Sequence, residues 1–241
     1  MATMNAVVKQ MPEVDVVISQ KGMLYRFFSI CFAYPDESTH AWWKDIRTIH
    51  EILGIVSSLD GTEELVRRIT PKFEDLVTNF SLLTSEEFES TYIAMFACGV
   101  PQVLCPPYSS LYSSADDDKR LAEMHKVTAF YEEYGMVISS EFKDLPDHAS
   151  VEFEFLQYLE YEKELARATG HDERVGFFQN AVLTFLDRHV LKMIDGMVAV
   201  SATIEPNNVC CQIIDIVKDI VHFDHESRGA AIRNNPSSLK G

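Results

Sequence analysis

Apolar side chains recur along this chain at intervals of three and four residues, and almost nowhere at alternate positions. That spacing restricts it to helices. Met23, Phe27 and Cys31 form one such row, and Leu24, Phe28 and Phe32 form a second beside it. The pattern predicts a helix over residues 16–33, stopped by Tyr34-Pro35-Asp36 because proline disfavours helical backbone in the residue before it. A second helix is expected from about Ser38, carrying Trp42, Trp43, Ile46 and Ile49, and further helical patterns cover 62–69 and 71–80. Thr84 followed three residues later by Glu87 reads as a capping box opening a helix through Phe88, Tyr92, Met95 and Phe96.

The periodicity then fails. Residues 99–115 are rich in Pro, Ser and Tyr and read as a long connection. Helical spacing resumes over 116–134 and stops at Gly135, a residue suited to the turn after a helix. Further helices are expected from Asp147 to about Gly170, from Asp172 through Val190, and over 207–223. Residues 1–15 read as loose and 234–241 as a polar tail. The β-branched run at 136–138 is too isolated to build a sheet. The expectation is an all-α bundle of eight to ten helices, a single domain over 16–233. Its N-terminal helical part runs to about 98 and its C-terminal part covers 116–225.

The stretch Asp144-Leu145-Pro146-Asp147-His148, followed by Glu152 and Glu154, concentrates ionisable groups at a helix start. Asp144 or Asp147 can cap the helix, and Pro146 fits before or within its first turn. His148 and Glu152 stand four apart and share a face. On a wheel of about 100° per residue both fall within the apolar stripe of Val151, Phe155, Leu156 and Leu159, with Glu154 at its other edge. A helix that needed only solubility would place them opposite. They either form a buried polar network or line a cleft.

Charge narrows the function classes. With 37 acidic and 21 basic residues the formal charge is −16. That weighs against nucleic acid and anionic lipid as partners; an acidic surface either attracts a basic partner or serves solubility alone. The five cysteines include no CxxC pair. A disulfide framework or zinc cage is therefore not expected, and all five read as reduced thiols. The N-terminal sequence lacks the pattern of a signal peptide, and no apolar run approaches the length that spans a bilayer. The reading is cytoplasmic.

Three elements in order carry a resemblance. They are Leu24-Tyr25-Arg26-Phe27-Phe28-Ser29 with Phe32 and Pro35; Pro106-Pro107-Tyr108-Ser109-Ser110-Leu111-Tyr112; and Asp144-Leu145-Pro146-Asp147-His148 with Glu152-Phe153-Glu154-Phe155-Leu156. Together they resemble the TorD family of maturation chaperones, which includes DmsD-type and NarJ-type proteins, over roughly residues 20–220. The third element is the most specific. Ser109 stands where that family often has Glu, Phe153 replaces a common Leu, and Phe27-Phe28 replaces Leu-Phe.

The resemblance implies an all-α cytoplasmic chaperone, not an enzyme. Its partner would be the apo-form of a molybdopterin-dependent oxidoreductase of the DMSO-reductase type, together with that enzyme's twin-arginine leader peptide. It also implies a monomer or domain-swapped dimer. It implies no bound cofactor beyond the weak guanine-nucleotide binding of some members, and the sequence has no P-loop. For such a peptide, Asp144, Asp147, Glu152 and Glu154 would supply carboxylates for guanidinium groups. Trp42, Tyr108 and Tyr112 would form an apolar or cation–π wall, with Ser110, Pro146 and His148 completing the groove. The segment 106–112 is expected to face the start of the Asp147 helix across this groove. Two other readings stand beside this one. A metal-dependent hydrolase would use Asp144, Asp147, His148 and Glu152, with His222 and His225 from afar, although no HExxH motif is present. A general adaptor would hold some other peptide.

Overall fold

In a computed structural model of the chain, residues 19–99, 102–139 and 142–234 are described. The expected loose terminus at 1–15, the helix start at 16–18 and the tail from 235 lie outside them. The elements are α1 (Gln20–Phe32), α2 (Glu37–Lys44), α3 (Ile46–Ser57), α4 (Glu63–Ser81), α5 (Ser85–Tyr92), α6 (Ser109–Ser113), α7 (Asp117–Glu133), α8 (Ala149–Ala168), α9 (Asp172–Phe185), α10 (Leu191–Ser201) and α11 (Val209–Asn234). A π turn at Ile93–Ala97 extends α5, and another at Leu186–Val190 joins α9 to α10. With α9 and α10 counted as one rod, the described residues hold ten helices and no strand, which bears out the all-α expectation.

Local chemistry accounts for most boundaries. The Thr84 hydroxyl accepts from the Glu87 backbone N–H at 3.2 Å. The Glu87 carboxylate accepts from the Thr84 N–H at 2.8 Å, completing the expected capping box. Gly135 at φ +77° and Gly170 at φ +71° end α7 and α8. Both lie in left-handed backbone that suits glycine. Three expectations are corrected. The single helix through Trp42 and Ile49 is two. Extended backbone at Asp45 ends α2, and its side chain caps α3 by accepting from the Arg47 N–H at 3.0 Å. The patterns over 62–69 and 71–80 are one helix, α4, with Pro71 inside it. The last helix does not stop at Phe223 but runs on to Asn234.

The described residues group into two compact units. One comprises 19–29, 108–193 and 224–234, and the other comprises 30–107 and 194–223. In the first, Tyr25 and Phe28 of α1 pack on Phe153 of α8, with ring centroids 6.4 and 5.2 Å away. Phe130, Tyr131, Phe155 and Phe185 form a second aromatic cluster joining α7, α8 and α9. In the second unit Trp43 stacks on Phe80, which meets Phe88, while Phe32, Tyr92 and Phe96 pack edge to face. Burial of such rings, about 1.5–3 kcal/mol each, supplies much of the cohesion. Among the described residues no helix is long and apolar enough to cross a membrane.

Candidate functional site at the start of α8

The site lies within the first unit, where the segment entering α6 meets the segment entering α8. Tyr108 and His148 form an antiparallel backbone bridge. The next residue continues the contact, with the Ser109 N–H donating to the Asp147 carbonyl at 3.0 Å. The Ser110 N–H then donates to Oδ2 of Asp147 at 3.1 Å. Further out, the Tyr108 hydroxyl donates to Oδ1 of Asp144 at 2.7 Å, and the Tyr108 ring stands edge-on to the His148 imidazole at 5.2 Å. From α7, the Tyr131 hydroxyl donates to the Pro146 carbonyl at 3.0 Å. Residues Tyr108, Ser109 and Ser110 do meet the start of α8, but in direct backbone contact rather than across the expected groove.

The capping differs from expectation. His148, not Asp144 or Asp147, is the N-cap of α8, its Nδ1 accepting from the Ser150 N–H at 3.2 Å. The Asp147 side chain is thereby free to turn toward Ser110. His148 and Glu152 form no direct pair, since the imidazole lies against Ser150, Tyr108 and, at 4.0 Å, Asp144.

Asp147 and Glu152 are wholly buried, with no Lys or Arg paired to either among the described residues. Oδ1 of Asp147 and both carboxyl oxygens of Glu152 lack a well-formed hydrogen bond. The Ser109 hydroxyl lies near enough to favour the charged form of Glu152, but without good geometry to either oxygen. Burial pushes the Glu152 carboxyl well above its ordinary 4.5, and the neighbouring Asp147 carboxylate pushes it further against the effect of Ser109. Burial likewise raises the Tyr131 phenol, with Glu152, Asp147 and Glu154 acting in the same direction. Burial lowers the His148 imidazole below 6.5, opposed by Asp144 and Asp147. The Tyr108 phenol is raised by burial and by its bond to Asp144.

Of the other expected site residues, Pro146, Glu154 and Tyr112 are half-buried, Tyr112 on α6 and Glu154 on α8. Asp144 and Leu145 are exposed beside Tyr108. Trp42 belongs to the other unit, on α2, where it is half-buried and edge-on to buried Trp43. His222 meets Asp195 at 2.7 Å and His225 meets Asp187 at 2.6 Å, and the described residues contain no group of three or more ligands arranged for a metal.

Reasoning from sequence misses two participants. Ser109 stands out there only as a departure from the family pattern, yet its backbone and hydroxyl both serve the pocket. Tyr131 reads as one more apolar position. The sequence also conceals a buried ionic network further along α8. Glu160 there accepts from Lys163 at 2.5 Å, Arg228 at 2.7 Å and the Ser19 hydroxyl at 3.0 Å. Arg228 also meets Asp224 at 2.7 Å. Asp224 pairs with Lys21 at 2.6 Å and accepts from the Tyr25 hydroxyl. Despite burial, Arg228 and Lys163 hold Glu160 below its ordinary value.

Fold and site together define an all-helical protein whose distinctive feature is a pair of buried acidic side chains where a loop closes on a helix start. The chain belongs to the nitrate reductase delta subunit family, whose model matches residues 60–199. It is 24% identical over 177 residues to a perchlorate reductase assembly chaperone protein of Dechloromonas aromatica (strain RCB), covering 71% of this chain and 73% of that one. It is 31% identical over 108 residues to a selenate reductase assembly chaperone protein of Thauera selenatis, covering 45% of this chain and 54% of the relative. A redox enzyme maturation protein from Archaeoglobus fulgidus superposes with a TM-score of 0.45 at 20% identity, over 89% of this chain and 97% of that one.

Proposed function

We propose that this protein is a chaperone for the assembly of a molybdenum-containing oxidoreductase of the DMSO-reductase type, acting by holding its client rather than by bond chemistry. In this reading it works in the cytoplasm. It binds the client's twin-arginine leader, or the apo-enzyme, until the cofactor is inserted. Family membership supports the reading, as do two relatives named as chaperones of reductase assembly. The observation that carries it is the pair of buried carboxylates, Asp147 and Glu152, left without a cation where the Tyr108–Ser110 segment closes on α8.

A buried, unpaired acidic group is costly, and a site that retains two suits a ligand that brings positive charge. A guanidinium presents N–H groups in a planar fork that matches a carboxylate. The free Oδ1 of Asp147 is one acceptor for it. Tyr108, His148 and exposed Leu145 offer an aromatic and apolar rim for the residues that follow the arginines. The chain's net charge of −16 draws a basic peptide toward it from a distance.

The test is calorimetric titration of the full chain with a synthetic twin-arginine leader, beside a twin-lysine control and an Asp147→Asn variant. Binding that weakens by about tenfold or more, about 1.4 kcal/mol, in both controls supports the reading. Equal affinity for arginine and lysine leaders, undisturbed by Asp147→Asn, rules out this pocket as the recognition site.

A further inference from the structure

We propose that cation binding at the Asp147–Glu152 pocket is coupled to release of one proton from Glu152 and to opening of the backbone clasp that Ser109 and Ser110 make on Asp147. The proposal rests on the reading above and names what regulates that site.

The geometry is the starting point. Two carboxyl groups five residues apart are enclosed together, and no Lys or Arg among the described residues neutralises them. Two buried negative charges side by side repel strongly, so the pocket is occupied most cheaply when one group keeps its proton. Glu152 is that group, because neither of its carboxyl oxygens has a well-formed donor. Asp147 takes the Ser110 N–H on one oxygen. The groups acting on Glu152 from the packed elements are Asp147, Ser109 from α6 and Tyr131 from α7, with Glu154 of α8 acting on the same Tyr131 and His148 turned to Asp144 and Asp147. Burial keeps Tyr131 protonated and His148 neutral around neutral pH, so neither competes as the source of the proton.

The clasp closes the pocket. Both carboxyl groups are inaccessible; the Ser110 N–H occupies one carboxylate oxygen of Asp147 and the Ser109 N–H holds its backbone carbonyl, so an incoming cation reaches Asp147 once this segment lifts away. A guanidinium offers replacement donors for Asp147. Its positive charge also removes the reason for Glu152 to stay protonated. The O–H bond of Glu152 breaks, the proton passes to solvent, and the carboxylate left behind accepts from the ligand.

The experiment titrates the full chain with a twin-arginine leader peptide at one pH, in two buffers of different ionisation enthalpy, and repeats it at several pH values. The expected result is release of about one proton per peptide, with affinity rising as pH is raised by up to about tenfold per unit. Glu152→Gln should bind with no proton release and no such pH dependence. The infrared spectrum of the free protein should also contain the carbonyl band of a buried, protonated carboxyl that Glu152→Gln lacks. Absence of that band overturns the proposal whether or not a peptide binds. Peptide binding without buffer-dependent heat overturns it and leaves the chaperone reading intact. A band without any peptide binding overturns the leader-peptide reading and the coupling with it.

Discussion

Two glutamates on α8, Glu152 and Glu160, are both wholly buried, yet burial has opposite outcomes for them. Glu160 accepts from Lys163 and Arg228 and stays below its ordinary pKa, whereas Glu152 has no cation among the described residues and is pushed well above it. The desolvation cost is similar for each, so partners decide the sign. Glu160 is complete within the chain and holds helices together. Glu152 finds no such partner among the described residues.

The largest expected effect comes from breaking the complete region. Arg228→Met leaves Glu160 and Asp224 buried against fewer cations, and should lower unfolding stability in urea by about 3–5 kcal/mol. Next, the two glutamates should respond differently to the same substitution. Glu160→Gln should cost about 2–3 kcal/mol by weakening hydrogen bonds to charged partners, while Glu152→Gln should cost nothing or stabilise.

Their pH profiles sharpen the contrast. A carboxyl lowered by folding adds stability that is present above its ordinary pKa of 4.5 and lost as pH falls below it. A carboxyl raised by folding subtracts stability as pH climbs above 4.5 toward its folded value. Glu160→Gln should therefore flatten the acid end of the stability curve, and Glu152→Gln the neutral end. Equal behaviour of the two variants would dissolve the distinction. A smaller effect belongs to neither region. Thr84→Ala removes the capping box of α5 and should cost about 1 kcal/mol, additive with Arg228→Met in the same denaturation assay. The smallest is Tyr108→Phe, which loses the hydroxyl bond to exposed Asp144 and should change stability by about 0.5 kcal/mol while altering leader affinity.

Local features are legible in the sequence, and long-range ones are not. The capping box at Thr84 and the glycine stops at Gly135 and Gly170 depend on residues within one turn, and the sequence contains all of them. The approach of segments 106–112 and 144–148 is expected only as the two walls of a peptide groove, and their backbone pairing across more than thirty residues of sequence is not legible. Nor is the exchange of roles between Asp147 and His148, because an Asp before a helix ordinarily caps it. Asp45 is concealed because the apolar spacing from Trp42 to Ile49 continues across it. The extension of α11 beyond Phe223 is illegible for a different reason. Asp224, Glu226, Ser227 and Arg228 look like a solvated end, and only Glu160, far off in sequence, explains why Arg228 is buried there.

The ionic network also bears on how the chain can be made. Its members come from α1, α8 and α11, so Lys21 finds Asp224 across almost the whole sequence. During synthesis from the N-terminus, Glu160 and Lys163 leave the ribosome long before Arg228 exists. Until then Glu160 and the residues around it have every reason to stay hydrated. Completion of this network within the first unit therefore waits on the emergence of α11. A chain cut short before Asp224 would keep Lys163 beside Glu160 but lack Arg228, so an intact network reports that translation has run into α11.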